Sequence, residues 1–322
     1  MPGWARHLRR IVAFLGVAAV VSATAPAAEL PPVRIAPRVT VQGVDVAGMT
    51  SEPARRLLRA HFDHPLRFRY GDKRWQLAPE RLSSAGVDDA LSRALRARRP
   101  TDVWLRVPVK GRAVRRYVGS LARRFYRAPK DAELAGLGGN LSPVFTEAKS
   151  GRRVVQKPVL EAIWRALKTG ERQTIMLPTA PVQPKVTAAN FGPVIVIRRA
   201  SNRLTLFSGP RAVSSFGVAT GQSSYPTPLG TWSIVDMQRN PWWRPPPSDW
   251  AKDAEPIPPG PGNPLGTRWM GLSAAAVGIH GTPDAASIGY SASHGCIRMR
   301  IPDAEFLFTQ VRVGTPVIIV DA

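Results

Sequence analysis

The chain has 322 residues, 44% of them hydrophobic, a single cysteine and a formal net charge of +23. That length suits two domains, each able to bury a core, and the apolar content is ordinary for a globular chain. One cysteine with no C-x-x-C pair argues against a cysteine-based metal site.

Taken from the start, Arg6, His7, Arg9 and Arg10 form a positive stretch, followed by the apolar run Ile11 to Val21. Small residues come next, with Ala-x-Ala at Ala23 to Ala25 and again at Ala25 to Ala27. This is the layout of a secretory signal peptide. An uncleaved membrane anchor is the competing reading. Residues 11–28 carry no charge, but Ser22, Thr24 and Pro26 interrupt them, and they barely reach the roughly 20 apolar residues of a span. The leader is assigned to residues 1–28 and a Pro-rich linker to 29–37. The expected location is outside the cytoplasmic membrane, periplasmic or wall-associated.

Residues 38–184 predict an α+β domain. Val39 to Gln42 reads as a strand and Gly43 to Gly48 as a turn. Thr50 suits a helix N-cap, and Ser51 to His61 has apolar residues at near-helical spacing. Leu66 to Leu77 reads as a hairpin around Gly71-Asp72. Helices are expected at Val87 to Arg98, Val114 to Tyr126 and Val159 to Leu167. Strands are expected at Val103 to Val107 and Thr174 to Pro178, with an exit over Pro181 to Pro184. The first 184 residues hold 33 Lys/Arg and 14 Asp/Glu. A half this basic suggests an anionic polymer as partner. Cell-wall carboxylates and phosphates fit an exported chain better than nucleic acid does; a merely solvated, Arg-rich surface is the plain alternative.

Residues 185–322 predict a mostly β domain. Phe191 to Arg198, Arg203 to Ser208, Val213 to Thr220 and Thr231 to Val235 read as strands with turn signals between them. Arg239 to Gly266 holds nine prolines with Trp242, Trp243 and Trp250, which rules out a regular element. A loop this long inside a compact domain is functional or disordered as a rule; a lid whose indoles meet a ligand is one reading, and a proline-stiffened loop packing its tryptophans on its own sheet is the other. Pro302 to Gln310 reads as a helix and Pro316 to Val320 as a last strand.

The chemistry concentrates between Gly278 and Met299, which holds Cys296, His280 and His294. A free thiol titrates at about 8.5, so it needs an imidazole or a positive field to react near neutral pH. Ser291, Ser293, Gly295 and Arg298 around it are polar or small. Gly295-Cys296 allows a sharp turn with free N–H groups, the makings of an oxyanion site. The alternatives are a buried structural cysteine and a metal site, and the latter lacks a convincing fourth ligand.

His280-Gly281-Thr282 followed by Ser293-His294-Gly295-Cys296-Ile297-Arg298 resembles the signature of the L,D-transpeptidase (YkuD-type) catalytic domain. The resemblance runs upstream through Asn202 to Phe207, Phe216 to Gly221 and Thr227 to Trp232. It implies a small sandwich-like β fold, Cys296 as nucleophile, His280 as base and the Gly281 carbonyl as orienter of the imidazole, with Asp284 as a competing orienter. It implies an oxyanion hole of the His294, Gly295 and Cys296 N–H groups. Arg298 is placed to hold a substrate carboxylate, unless it pairs with Asp303; Ser293, Tyr290, Trp242 and Trp243 would line the site. The implied substrates are peptidoglycan stem peptides, joined by 3→3 crosslinks with release of D-alanine, with no cofactor and with carbapenem-type β-lactams as covalent inhibitors. An L,D-carboxypeptidase, a non-catalytic wall-binding protein, and a hydrolase or lipoprotein-anchoring acyltransferase using the same thiol remain alternatives. Residues 38–184, through Gly43 to Thr50, the Tyr70 to Trp75 hairpin and Leu177-Pro178, resemble the peptidoglycan-binding domains found beside VanW-like and L,D-transpeptidase modules; a spacer that holds the catalytic domain off the membrane is the alternative.

Overall fold

The structure, a computed structural model, describes residues 32–322. The leader assigned to residues 1–28 lies outside the described residues. The chain forms two compact units: one from the described residues up to Pro65, Leu77–Lys110 and Arg165–Arg172, the other from Leu66–Gln76, Gly111–Trp164 and Gln173–Ala322. The block read as one domain at 38–184 therefore supplies both units.

In the first unit, Val39–Val41 pairs antiparallel with Val44–Asp45 and parallel with Thr101–Val103. The stretch read as a turn at 43–48 thus carries a two-residue strand. Helix Ser51–Phe62 buries Ala54, Leu58 and Phe62, four residues apart on one face. Thr50 sits at its N-cap in extended conformation but makes no side-chain cap bond. Helix Val87–Arg96 buries Ala90, Leu91 and Ala94 in the same core. The strand expected at Val103 to Val107 instead ends at Val103; beyond it the Arg106 carbonyl accepts the Gly86 N–H at 2.8 Å, leaving the ladder.

The hairpin Leu66–Tyr70 and Lys73–Leu77, which belongs to the second unit as far as Gln76, extends with Ile175–Met176, parallel to its first strand. Its aromatic face packs on helix Gly111–Arg124. Phe68 and Trp75 stack at 5.5 Å, and the Trp75 indole N–H donates to the Tyr117 hydroxyl at 2.8 Å. Between Leu134 and Val182 four short strands escaped the sequence reading: Leu134–Leu137 with Pro143–Phe145, and Gly151–Val154 with Thr179–Val182. Glycines, prolines and arginines dilute their β signal.

The C-terminal part of this unit is an eight-stranded sheet. Its order is Arg211–Gly217, Arg203–Ser208, Pro193–Arg198, Pro316–Val320, Gly230–Arg239, Arg268–Leu272, Gly278–Thr282 and Ile297–Arg300. Two neighbouring pairs are parallel, Pro193–Arg198 with Pro316–Val320 and Gly278–Thr282 with Ile297–Arg300. Ile195 and Ile197 enter the main core with Leu204, Ile234, Ile279 and Val317. Val194 and Val196 point the other way, under Leu134, Leu137 and Phe145. With both faces covered, the strand reads as a continuous apolar run rather than an alternation. Helix Ile301–Gln310 closes the core with Ala304 and Leu307, its Pro302 in the first turn where no N–H is needed. The architecture is an α+β N-terminal region followed by a mostly β C-terminal one.

Candidate active site

Strand Gly278–Thr282 is buried along its whole length. Its even alternation sends Ile279 into the core and His280 to the opposite face, where the ring is 4% exposed. The His280 Nδ1 lies 2.6 Å from the Gly281 carbonyl oxygen. Nδ1–H donates there, which fixes the tautomer and leaves Nε2 as the free basic nitrogen. Asp284, the competing orienter, is not at the imidazole; it stands 3.9 Å from the Arg298 guanidinium, which therefore pairs with Asp284 rather than Asp303.

The next strand brings Trp269 opposite His280, with the rings stacked at 5.9 Å. The indole needs glycine beneath it. A Cβ on Gly278 would meet the Trp269 ring at 2.3 Å, and one on Gly271 would come within 3.0 Å. Sequence reading missed Trp269; the signal was a tryptophan flanked by glycines two and nine positions on.

Cys296 precedes the strand that runs parallel to Gly278–Thr282, in register with Ile279↔Ile297 and His280↔Arg298. Its turn depends on Gly295, at φ +107°, a conformation side chains disfavour. The sulfur lies 3.7 Å from the Ala276 carbonyl oxygen. Buried Ser293 braces the turn: its hydroxyl donates to the Cys296 carbonyl at 2.6 Å and accepts the Gly295 N–H at 3.2 Å. That bond takes the Gly295 N–H out of the expected oxyanion set. Thr227, fully buried, accepts the Gly221 N–H at 2.8 Å and donates to the Gly295 carbonyl at 3.0 Å. Tyr290, expected to line the site, is 67% exposed and outside the cleft. Adjacency in sequence did not make it a neighbour in space.

Burial holds His280 well below the ordinary imidazole value, at about 4, and Arg298 pushes the same way against the raising effect of the Gly281 carbonyl. Cys296 is partly accessible, yet protein crowds its sulfur, and this desolvation pushes the thiol up; the Gly278 N–H and Arg298 oppose it. Both shifts favour the uncharged form, of the thiol as of the imidazole.

Cys296 and His280 open into one cleft of about 780 Å³, roofed by the segment between Arg239 and Gly266. Trp242 and Trp243 line it, as expected, and so does Trp250, which stacks on His294 at 4.1 Å. Tyr225 meets the same imidazole at 5.0 Å, so His294 is held by aromatic rings. Its pKa is lowered by desolvation and by Arg298. Arg239, Arg244 and Arg298 line the cleft, and among the described residues no carboxylate does.

The roof has one short 3₁₀ turn, Asp249–Ala251, and a bridge between Trp243 and Ile257. Its organiser is Asn263, 1% exposed. The Asn263 amide donates to the Pro241, Ile257 and Pro258 carbonyls at 2.8–3.2 Å, and its oxygen accepts the Leu265 N–H at 2.8 Å. Prolines cannot donate backbone bonds, so a side-chain amide supplies them. Asn263→Asp places an oxygen against three carbonyls, with about 1–3 kcal/mol expected per buried group left unpaired. The expected result is roof cleavage by protease at least ~10-fold faster with the overall melting transition kept; an unchanged cleavage rate would reject the role.

The chain matches two families: YkuD, the L,D-transpeptidase catalytic domain, over residues 192–319, and "Putative peptidoglycan binding domain" over residues 75–176. It is 34% identical over 134 residues to "Putative L,D-transpeptidase YqjB" of Bacillus subtilis, covering 40% of this chain and 72% of that protein. It is 37% identical over 140 residues to "Probable L,D-transpeptidase ErfK/SrfK" of Escherichia coli, covering 39% of this chain and 44% of that protein. A crystal structure of a mutant Enterococcus faecium L,D-transpeptidase covers 84% of this chain and 99% of its own at 14% identity, with a TM-score of 0.37, a likeness too weak to add to the assignment.

Proposed function

The chain belongs to the L,D-transpeptidase family and is an L,D-transpeptidase enzyme; from that premise we propose that it joins peptidoglycan stem peptides by 3→3 crosslinks through a thioester on Cys296. The observation that carries this reading is the buried His280 ring, its Nδ1 on the Gly281 carbonyl, opening into the same cleft as the one thiol.

In the proposed cycle His280 Nε2 takes the Cys296 thiol proton as the sulfur attacks the carbonyl of the third, L-configured residue of a donor tetrapeptide. The tetrahedral oxyanion is held by the Cys296 and His294 backbone N–H groups, each donor worth roughly 3 kcal/mol. The C–N bond to D-alanine breaks, and the imidazolium returns its proton to the leaving amine. The side-chain amine of a second stem then attacks the thioester, passes a proton to His280, and releases the crosslinked product and free thiol. Arg298, held only loosely by Asp284 at 3.9 Å, is available to a stem carboxylate. Trp242 and Trp243 pack on the stem from the roof. Thiolate, base and oxyanion donors suffice for this chemistry. The substrate lies outside the cytoplasmic membrane, so export by the leader at 1–28 is part of the proposal.

The test is mass spectrometry of products from a disaccharide-tetrapeptide. A crosslinked dimer supports the reading; tripeptide plus free D-alanine makes the enzyme an L,D-carboxypeptidase; no product overturns both. A carbapenem is expected to add its mass once to the wild-type protein and not to Cys296→Ala.

A further inference from the structure

Away from the cleft, the Leu66–Gln76 and Gly111–Trp164 segments of the second unit hold 15 Lys/Arg against 5 Asp/Glu. Part of this charge is gathered at one place. The Tyr70 and Phe125 rings lie 4.4 Å apart. The Arg152 guanidinium sits 5.2 Å from the Tyr70 ring; the Arg124 guanidinium and Lys73 ammonium sit 5.4 and 5.9 Å from the Phe125 ring. Arg127 joins them: it and Arg152 are directly opposed across an antiparallel bridge, exchanging backbone bonds at 2.9 and 2.8 Å. All four cations are exposed, and among the described residues none of the four makes an ion pair.

Like charges opposed on a strand pair repel, and the arrangement is destabilising unless an anion lies between them. The rings beneath fix the guanidinium groups by cation–π contact, so less side-chain freedom is lost when an anion arrives. A solvated basic surface needs neither the opposed pair nor the aromatic floor.

We infer that Lys73, Arg124, Arg127 and Arg152 form an anion-binding site that grips repeated oxyanions, carboxylate or phosphodiester, along a cell-wall polymer. The site would hold the enzyme on the wall while the separate cleft works on stem peptides. This rests on the wall-directed reading above, but its readout does not need turnover.

The experiment is co-sedimentation of the full chain with purified sacculi in three forms: untreated, stripped of phosphate polymers, and stripped with carboxylates amidated. Sedimentation is expected to fall with added salt and to be lost on the fully neutralised wall. Loss at the stripping step assigns the phosphodiester, and loss only at amidation assigns the carboxylate; either supports the site. A K73Q/R124Q/R127Q/R152Q protein is expected to bind about tenfold or more weakly, with turnover of a soluble disaccharide-tetrapeptide within about twofold of wild type. Should that protein fold poorly, K73Q/R127Q, which keeps both arginines on their rings, is expected to weaken binding by severalfold. Unchanged sedimentation of a folded variant, full binding to the neutralised wall, or tighter binding to duplex DNA or anionic vesicles would overturn the inference. Absence of turnover with charge-dependent sedimentation intact would reject the proposed crosslinking reaction alone.

Discussion

His280→Gln is expected to slow stem-peptide turnover by about 10³-fold, within the range removed with a general base. Glutamine fills similar space but cannot take and return a proton. The pH dependence tests the mechanism further. With His280 near 4 and the thiol raised, both groups favour their neutral forms, so His280 is expected to take the proton during attack. Iodoacetamide should therefore alkylate Cys296 slowly at neutral pH, at a rate that climbs only in the alkaline range and changes little in His280→Gln. A preformed ion pair would instead give fast neutral alkylation that the substitution abolishes. Stability carries the same signature. Above about pH 6.5 the histidine is neutral folded or unfolded and contributes no slope. Between about 6.5 and 4 the unfolded chain binds a proton that the buried ring refuses, so stability falls with acid, by roughly 3 kcal/mol at the limit. His280→Gln should flatten that part of the curve, and an identical slope would contradict the buried neutral ring.

Much of the site was legible because its residues are rare types in a short window. His280 reaches the Gly281 carbonyl and shares one cleft with Cys296, because two adjacent parallel strands carry the two halves of the motif. Two apolar strands were legible as well: Arg203–Ser208, and the β-branched Pro316–Val320, appear at the residues read from the sequence. Gly278–Thr282 was not seen as a strand. Its two glycines and histidine carry little β signal, and it is extended because its neighbours hold it so. Direction was harder to read than position. Tyr290 lies close in sequence yet faces solvent, while Trp269, Thr227 and Asn263 come from distant segments through contacts that form only across the fold. The Arg298 partner is Asp284, whose place follows from the 3₁₀ turn Ala285–Ser287 rather than from helical spacing to Asp303.

Thr227→Val is expected to cost about 2–6 kcal/mol of stability and about 10² in turnover, though residue 227 lies 69 positions before the cysteine. Valine matches threonine in shape, so packing is kept and only the hydroxyl is lost. That hydroxyl is completely buried and serves two groups, the Gly221 N–H and the Gly295 carbonyl. Each would be left unpaired, at about 1–3 kcal/mol apiece. The catalytic loss follows from what Gly295 does. At φ +107° it holds a turn whose N–H is anchored by Ser293 and whose carbonyl is anchored by Thr227. Releasing the carbonyl lets the peptide rotate, and the sulfur and the Cys296 N–H move with it. A misplacement of about 1 Å is enough for a 10²-fold loss. Thr227→Ser separates the two causes, since serine restores both bonds while removing the methyl: turnover should return to near wild type while part of the stability stays lost. Denaturant melts and single-turnover acylation on the three proteins decide the matter. If Thr227→Val acylates at the wild-type rate, the turn is rigid without its far anchor, and Ser293 alone positions the thiol.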